Sequence, residues 1–219
     1  MKIKDFKSHT ITRSSPPHYS NYRDYRPYLE SDFSERCAYC NLNRKKITTP
    51  FEIDHFIPKK AFKTIRPSLE TDYNNLVYAC KKCNGTKSGK FKGDLSLPTP
   101  TNELFYDPVL VDYNTVFYRN ELGAIDSDDP KGKEMIKLLK LYRPIHILAW
   151  LCEEIGLTAD KLERAITSEP DAKKKQEYEK AYNSLNRQYR KFIDLFLASY
   201  NDEKFDFVVS RAVTDLGNF

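Results

Sequence analysis

The chain has 219 residues, 40% hydrophobic and 13% aromatic, which is enough apolar material for a buried core and too much for a disordered chain. Its strongest apolar run, Ile145–Leu151, includes His146 and is far shorter than the ~20 residues of a membrane span. Met1–Lys7 is charged but lacks an apolar stretch, so neither a membrane span nor an export signal is expected and a cytoplasmic protein is predicted. The net charge of +5 permits a polyanionic partner, but its distribution says more: residues 1–100 carry 19 Lys/Arg and 10 Asp/Glu, residues 101–219 carry 17 and 21. A basic half is followed by a mildly acidic one, which points to two functional regions.

Residues 1–18 lack periodicity and read as an extended arm. Aromatics then recur at Tyr19, Tyr22, Tyr25 and Tyr28, with Arg23 and Arg26 between them. These side chains either clamp nucleic acid or pack on the segment that follows, and packing suits the tyrosines better. A helix is predicted from about Pro27, with Tyr28, Leu29 and Phe33 on its apolar side. Phe51–His55 alternates apolar and polar residues, a short strand signature that Pro58 ends. Leu76–Ala79 is a second strand candidate, and Asn84–Gly89 opens a short helix weakened by its two glycines. Pro98-Thr-Pro100 reads as a linker, Phe105–Tyr118 has mixed strand character, and the remainder is helical. Helices are predicted over Lys131–Leu141, over Pro144–Ile155 with Gly156 as its stop, over Thr158–Thr167 with Thr158 as its cap, and over Asp171–Tyr200. The charge run Lys173–Lys180 reads as a solvated helix face.

Four of the five cysteines form two pairs, Cys37-Ala-Tyr-Cys40 and Cys80-Lys-Lys-Cys83, and Cys152 stands alone. In a reducing compartment this is not a disulfide framework. Two C-x-x-C knuckles place four thiolates around one ion, so Cys37, Cys40, Cys80 and Cys83 are predicted to hold a structural zinc. The 39 residues between Cys40 and Cys80 exceed the ~15–20 of a plain zinc ribbon. The chemistry is therefore sought in that insertion.

The insertion contains Glu52-Ile-Asp54-His55-Phe-Ile-Pro58 and Asn74-Asn75-Leu76, and Asn84-Gly-Thr-Lys87 follows Cys83 directly. Neighbours on a strand point to opposite faces, so Asp54 and His55 serve one site only if the chain bends there. A carboxylate supplies a hard oxygen ligand, and an imidazole with a near-neutral pKa supplies a general base. His9, His18 and His146 have no such company and read as ordinary surface or core histidines.

The series Cys37-x-x-Cys40, Glu52-x-Asp54-His55-x-x-Pro58, Asn75-Leu76 and Cys80-x-x-Cys83-Asn84-x-x-Lys87 resembles the HNH endonucleases with a zinc-stabilised ββα-metal core. The resemblance covers residues 37–87 and implies an α+β fold in three regions. These are an N-terminal arm and helix (1–36), the ββα-metal core with its four-cysteine zinc site (37–97) and a mainly α-helical C-terminal domain (98–219). It further implies an endonuclease, a phosphodiester hydrolase acting on DNA. In that family pattern His55 is the general base that deprotonates water, and Asp54 and Asn84 are the ligands of one catalytic Mg²⁺ or Mn²⁺. Asn75 ties the loop that orients His55, with Asn74 as its substitute if the register slips by one, and Lys87 contacts a phosphate. Asn84 in place of a histidine makes that donor set oxygen-only, which favours Mg²⁺ or Mn²⁺. The role of Glu52 is left open.

Lys59, Lys60 and Lys82 belong to a group of basic residues around the motif suited to DNA backbone contacts with weak sequence specificity. A zinc-stabilised nucleic-acid-binding or adaptor module without catalysis is the competing reading, and RNA cleavage is a third. A binding module has no need of Asp54, His55 and Asn84 together. The C-terminal half resembles bacterial HNH proteins of mobile-element and anti-phage systems at Asp107-Pro108, Gly123-Ala-Ile125 and Glu134–Leu141. That resemblance implies a defence effector whose nuclease is controlled by a regulatory protein partner bound through this half.

Overall fold

The computed structural model describes residues 2–201, so the last part of the predicted C-terminal region, 202–219, lies outside the described residues. The fold is mixed α+β, and it divides between Tyr142 and Arg143 into two compact units.

In the first unit, β2 (Glu52–His55) pairs antiparallel with β3 (Leu76–Ala79), with Glu52 opposite Ala79 and His55 opposite Leu76. All four residues of β3 are buried, as expected for a strand that is apolar at every position. After Cys80 alone, the chain enters α3 (Lys81–Lys87). Cys80 is the N-cap, its sulfur accepting from the Cys83 N–H at 3.4 Å. The helix thus begins three residues earlier than its polar core suggested, with the second knuckle at its cap and first turn. Between the strands run α2 (Lys59–Phe62), which starts just after Pro58, and two single 3₁₀ turns, Pro67–Glu70 and Tyr73–Asn75. The buried Phe62 and Leu69 anchor this excursion.

The N-terminal segment is not a featureless arm. Its first residues form β1 (Lys2–Asp5), which pairs with β4 (Tyr118–Asn120), and β4 pairs in turn with β5 (Ile125–Asp126). All four β1 side chains are exposed, so no apolar alternation marks the strand. Further along, the Arg13 guanidinium donates to the Leu76 carbonyl at 2.6 Å and lies over the Tyr73 ring at 4.9 Å. Helix α1 (Arg26–Asp32) buries Leu29, and Phe33 just past its end is buried as well.

The stretch read as a linker is held in place. Arg66 donates to the Leu97 carbonyl at 2.5 Å and to the Pro98 carbonyl at 2.8 Å. The fully buried Asn102 donates to Lys90 at 2.9 Å and Phe56 at 3.4 Å through its amide. Residues 98–142, grouped with the helices on sequence, therefore lie in the first unit. That unit ends with α4 (Pro130–Leu139), whose cap Asp129 accepts from Gly132 at 2.7 Å and whose C-terminal Lys140 is left-handed (φ 54°).

The second unit is built on two long helices that pack on each other, α5 (Pro144–Ser168) and α6 (Ala172–Asn201). The break expected at Gly156 is absent, because α5 runs through it without interruption for 25 residues. The Thr158 hydroxyl donates back to the Glu154 carbonyl at 2.9 Å instead of capping a new helix. Asp171 does cap α6, accepting from Lys173 and Lys174 at 2.9 Å each. Among the described residues no helix is long and apolar enough to cross a membrane.

Candidate active site

The cysteine pairs converge. The sulfurs of Cys37, Cys40, Cys80 and Cys83 all lie within 4.8 Å of one another and all four residues are buried. A left-handed Asn41 (φ 63°), whose N–H donates to the Cys37 carbonyl at 3.0 Å, closes the first knuckle. Cys40 and Cys80 are 3.8 Å apart at sulfur, the edge of a tetrahedron with arms of ~2.3 Å, so the four positions are compatible with zinc. Burial pushes the Cys40 thiol well up, whereas Cys37 is held well down despite burial because its three neighbours direct hydrogen bonds at its sulfur.

His55 ends β2 and is only 6% exposed. Its Nε2 lies 2.9 Å from the Glu70 carbonyl. A carbonyl only accepts, so Nε2 carries the proton and the lone pair is left on Nδ1. The ring is flanked by Tyr22 at 4.9 Å, edge-on, and by Phe62 at 5.6 Å. Desolvation by these neighbours pulls its pKa below the ordinary histidine value, with nearby Lys59 acting in the same direction, although the Glu70 hydrogen bond opposes it. The imidazole is therefore neutral at neutral pH, as a general base must be.

Asn75 clamps the bend after His55. Its Oδ1 accepts from the Ile57 N–H at 2.8 Å, and its Nδ2 donates to the carbonyls of Leu69 (3.0 Å) and Ile57 (3.3 Å). The side chain thus ties the chain after β2 to the 3₁₀ turn that presents the Glu70 carbonyl. Asn74 is exposed and makes none of these bonds. A second brace is the Lys59–Glu70 ion pair at 2.6 Å.

Asp54 points into the protein, away from His55, as strand alternation requires. Tyr39 donates to it at 2.6 Å, and the Lys87 ammonium lies 3.1 Å from Oδ1 and 3.0 Å from Oδ2. Burial pushes the Asp54 carboxyl up, and Lys87 and Tyr39 pull it back down. Lys87, expected at a phosphate, is 0% exposed, and its remaining bond goes to the His55 carbonyl at 2.8 Å. A fully buried ammonium paired with a buried carboxylate has no phosphate within reach. Its function is to neutralise Asp54 and to fix the backbone of His55. At the start of β2, on the face that also carries Asp54, the half-buried Asn84 donates through Nδ2 to Glu52 Oε2 at 2.6 Å.

The other expected nucleic-acid contacts differ in access. Lys60 is exposed, while Lys59 and Lys82 are half-buried. Tyr25 is buried against Tyr19 and Tyr73, so packing rather than clamping is its role. Tyr22 is half-exposed beside His55, with the Lys59 ammonium 4.4 Å from its ring centre. Tyr39 and Glu70 touch the candidate catalytic residues and had no signal in the sequence, because each reaches them across 15 residues of chain, whereas Tyr22, singled out among the recurring tyrosines, packs on His55 as that reading favoured.

Residues 37–90 match the family model described as HNH endonuclease. The chain thus carries an HNH domain. A 66-residue stretch is 32% identical to the Septu protein PtuB of Bacillus thuringiensis, covering 28% of this chain and 24% of that protein. The match thus spans about a quarter of the length of the curated relative. No solved structure is significantly similar to the chain.

Proposed function

We propose that the HNH domain is a metal-dependent endonuclease that hydrolyses DNA phosphodiester bonds, and that the protein acts in the cytoplasm in phage defence or restriction. The observation that carries the chemistry is the 2.9 Å contact of His55 Nε2 with the Glu70 carbonyl: because a carbonyl only accepts, the proton belongs on Nε2, which leaves Nδ1 to take the proton of an attacking water. Asn75 holds the loop that keeps this ring in place. Asp54 and Asn84 are the ligands for Mg²⁺ or Mn²⁺ on this reading. The fit rests on the donor set, a carboxylate and an amide oxygen, which suits a hard cation. Asp54 is the more restricted of the two, because Tyr39 and Lys87 already take three of its acceptor directions. When bound, the cation would supply Lewis-acid stabilisation of the charge that develops in phosphodiester hydrolysis.

The four cysteines hold zinc as a structural ion, since a unit with two four-residue strands and a seven-residue helix has little core of its own. DNA is gripped through its backbone by Lys59, Lys60 and Lys82 within the basic half of the chain. The proposed nuclease region is 37–97, with 1–36 packed around it, and the C-terminal region, 98–219, offers the surface for a regulatory protein partner. The similarity to a Septu protein supports the defence reading.

Plasmid nicking in Mg²⁺ or Mn²⁺ is the test. Wild-type protein, with its partner where one is needed, is expected to cut at least ~10²-fold faster than His55→Ala, the lower bound for loss of a positioned general base. Equal rates for the two proteins overturn the proposal. Cutting of RNA but not DNA by the wild type alone overturns the assigned substrate.

A further inference from the structure

Two carboxylates project from β2 two residues apart, Asp54 and Glu52, and so share a face of the strand. Asp54 is enclosed and neutralised by Lys87, whereas Glu52 is half-buried at the end of the hairpin where α3 begins and forms no ion pair among the described residues. Its partner is neutral: Glu52 Oε2 accepts from Asn84 Nδ2 at 2.6 Å. The bond joins an amide N–H to a carboxylate oxygen, the charge-assisted kind of hydrogen bond.

The pairing has a chemical consequence. An asparagine amide has a donor end and an acceptor end, and a hard cation binds only the acceptor. An isolated amide has nearly the same shape when turned end for end, so Asn84 alone has no preference for either orientation. A carboxylate beside it imposes one, because an ionised Glu52 has only acceptors, so Nδ2 must face Glu52 and Oδ1 must face away. Without that partner the amide is free to rotate, and half of its orientations turn a donor toward the cation.

We propose that Glu52 is a positioning residue that locks the Asn84 amide with Oδ1 presented to the divalent cation, acting through Asn84 and not as a ligand itself. The inference rests on the reading that Asn84 binds the cation, and it adds a residue to which neither the family match nor the relative assigns a role. Partners of this kind orient a ligand and raise its affinity, and their loss characteristically costs ~10–100-fold in metal binding.

The test is a double-mutant cycle on the full-length, zinc-loaded chain, with Mn²⁺ affinity read by electron paramagnetic resonance and no nucleic acid present. Glu52→Ala is expected to weaken Mn²⁺ by ~10-fold or more. In an Asn84→Ala background the same change is expected to cost nothing further, because the group through which Glu52 acts is gone. In the metal-free protein, the Asn84 side-chain amide resonances are expected to shift when Glu52 is removed. Glu52→Gln, which preserves shape but accepts either amide orientation, is expected to lose affinity as well and serves the cycle if the alanine variant misfolds. Wild-type Mn²⁺ affinity in both Glu52 variants overturns the proposal. So does an equal loss with and without Asn84, which makes Glu52 a ligand in its own right. Unaltered Glu52 variants together with an inactive His55→Ala would leave the nuclease reading standing and this one refuted. The cycle behaving as expected in a protein that cuts nothing would do the reverse.

Discussion

The HNH domain and the α5–α6 pair solve the problem of stability in opposite ways. The domain is assembled from elements too short to stand alone, four-residue strands and a seven-residue helix, and long-range polar contacts fasten it: four sulfurs, the Lys87–Asp54 pair and the Asn75 clamp. Helices α5 and α6, of 25 and 30 residues, satisfy their backbones internally and bury only a few side chains each, Ile145, Cys152 and Phe196 among them. The lesson is that local order in the HNH domain depends on particular side chains, whereas in the helical pair it depends on length and on backbone bonding.

Removing the proposed zinc is expected to break this contrast most severely. Exhaustive chelation, or Cys80→Ser, is expected to unfold the HNH domain and abolish DNA cutting, since structural zinc supplies on the order of 10 kcal/mol in small zinc domains. The far-UV helical signal of α5 and α6 should largely survive, and circular dichroism with and without chelator reads both. Parallel loss of all helical signal would show that the two regions do not differ in this way.

Lys87→Met is the next largest. It leaves the Asp54 carboxylate buried with Tyr39 alone, and breaking a buried pair costs ~3–5 kcal/mol, measurable by urea denaturation of the zinc-loaded protein. The salt dependence of DNA affinity should retain its slope, because the buried ammonium displaces no counterion from DNA. A shallower slope at wild-type stability would return Lys87 to the phosphates.

The smallest change sharpens the other side. A β-carbon added at Gly156 meets nothing within 4 Å, and the residue lies inside the continuous α5. Gly156→Ala is therefore expected to stabilise the protein by ~0.5–1 kcal/mol, seen as a raised Tm. A loss of stability would instead support the helix break that sequence punctuation suggested.

Much of the candidate site is legible in the amino-acid order alone. The C-x-x-C spacings, the alternation in Phe51–His55, the apolar Leu76–Ala79 and the Asn75-Leu76 pair are local patterns, and local patterns follow from backbone geometry. The expectations that failed did so for identifiable reasons. Gly156 and Thr158 carry breaking and capping signals that hold only when a helix is marginal, and inside a long packed helix they are tolerated. Lys2–Asp5 became a strand because Tyr118–Asn120 supplied its hydrogen bonds, a partnership beyond any sequence window.

Charge distribution and cysteine spacing pointed to where the HNH domain lies in the chain but not to how its charged residues pair. Sequence alone determined the residue types of the site and their order, because knuckles, strand ends and helix starts are set by neighbours a few positions away. Only the tertiary structure decided that Lys87 turns inward to Asp54, that Glu70 presents the carbonyl to His55, and that Glu52 faces Asn84. Those contacts join residues 15 to 33 positions apart, and the difference between an ammonium that grips phosphate and one that neutralises a buried carboxylate is set by burial, which no spacing rule encodes.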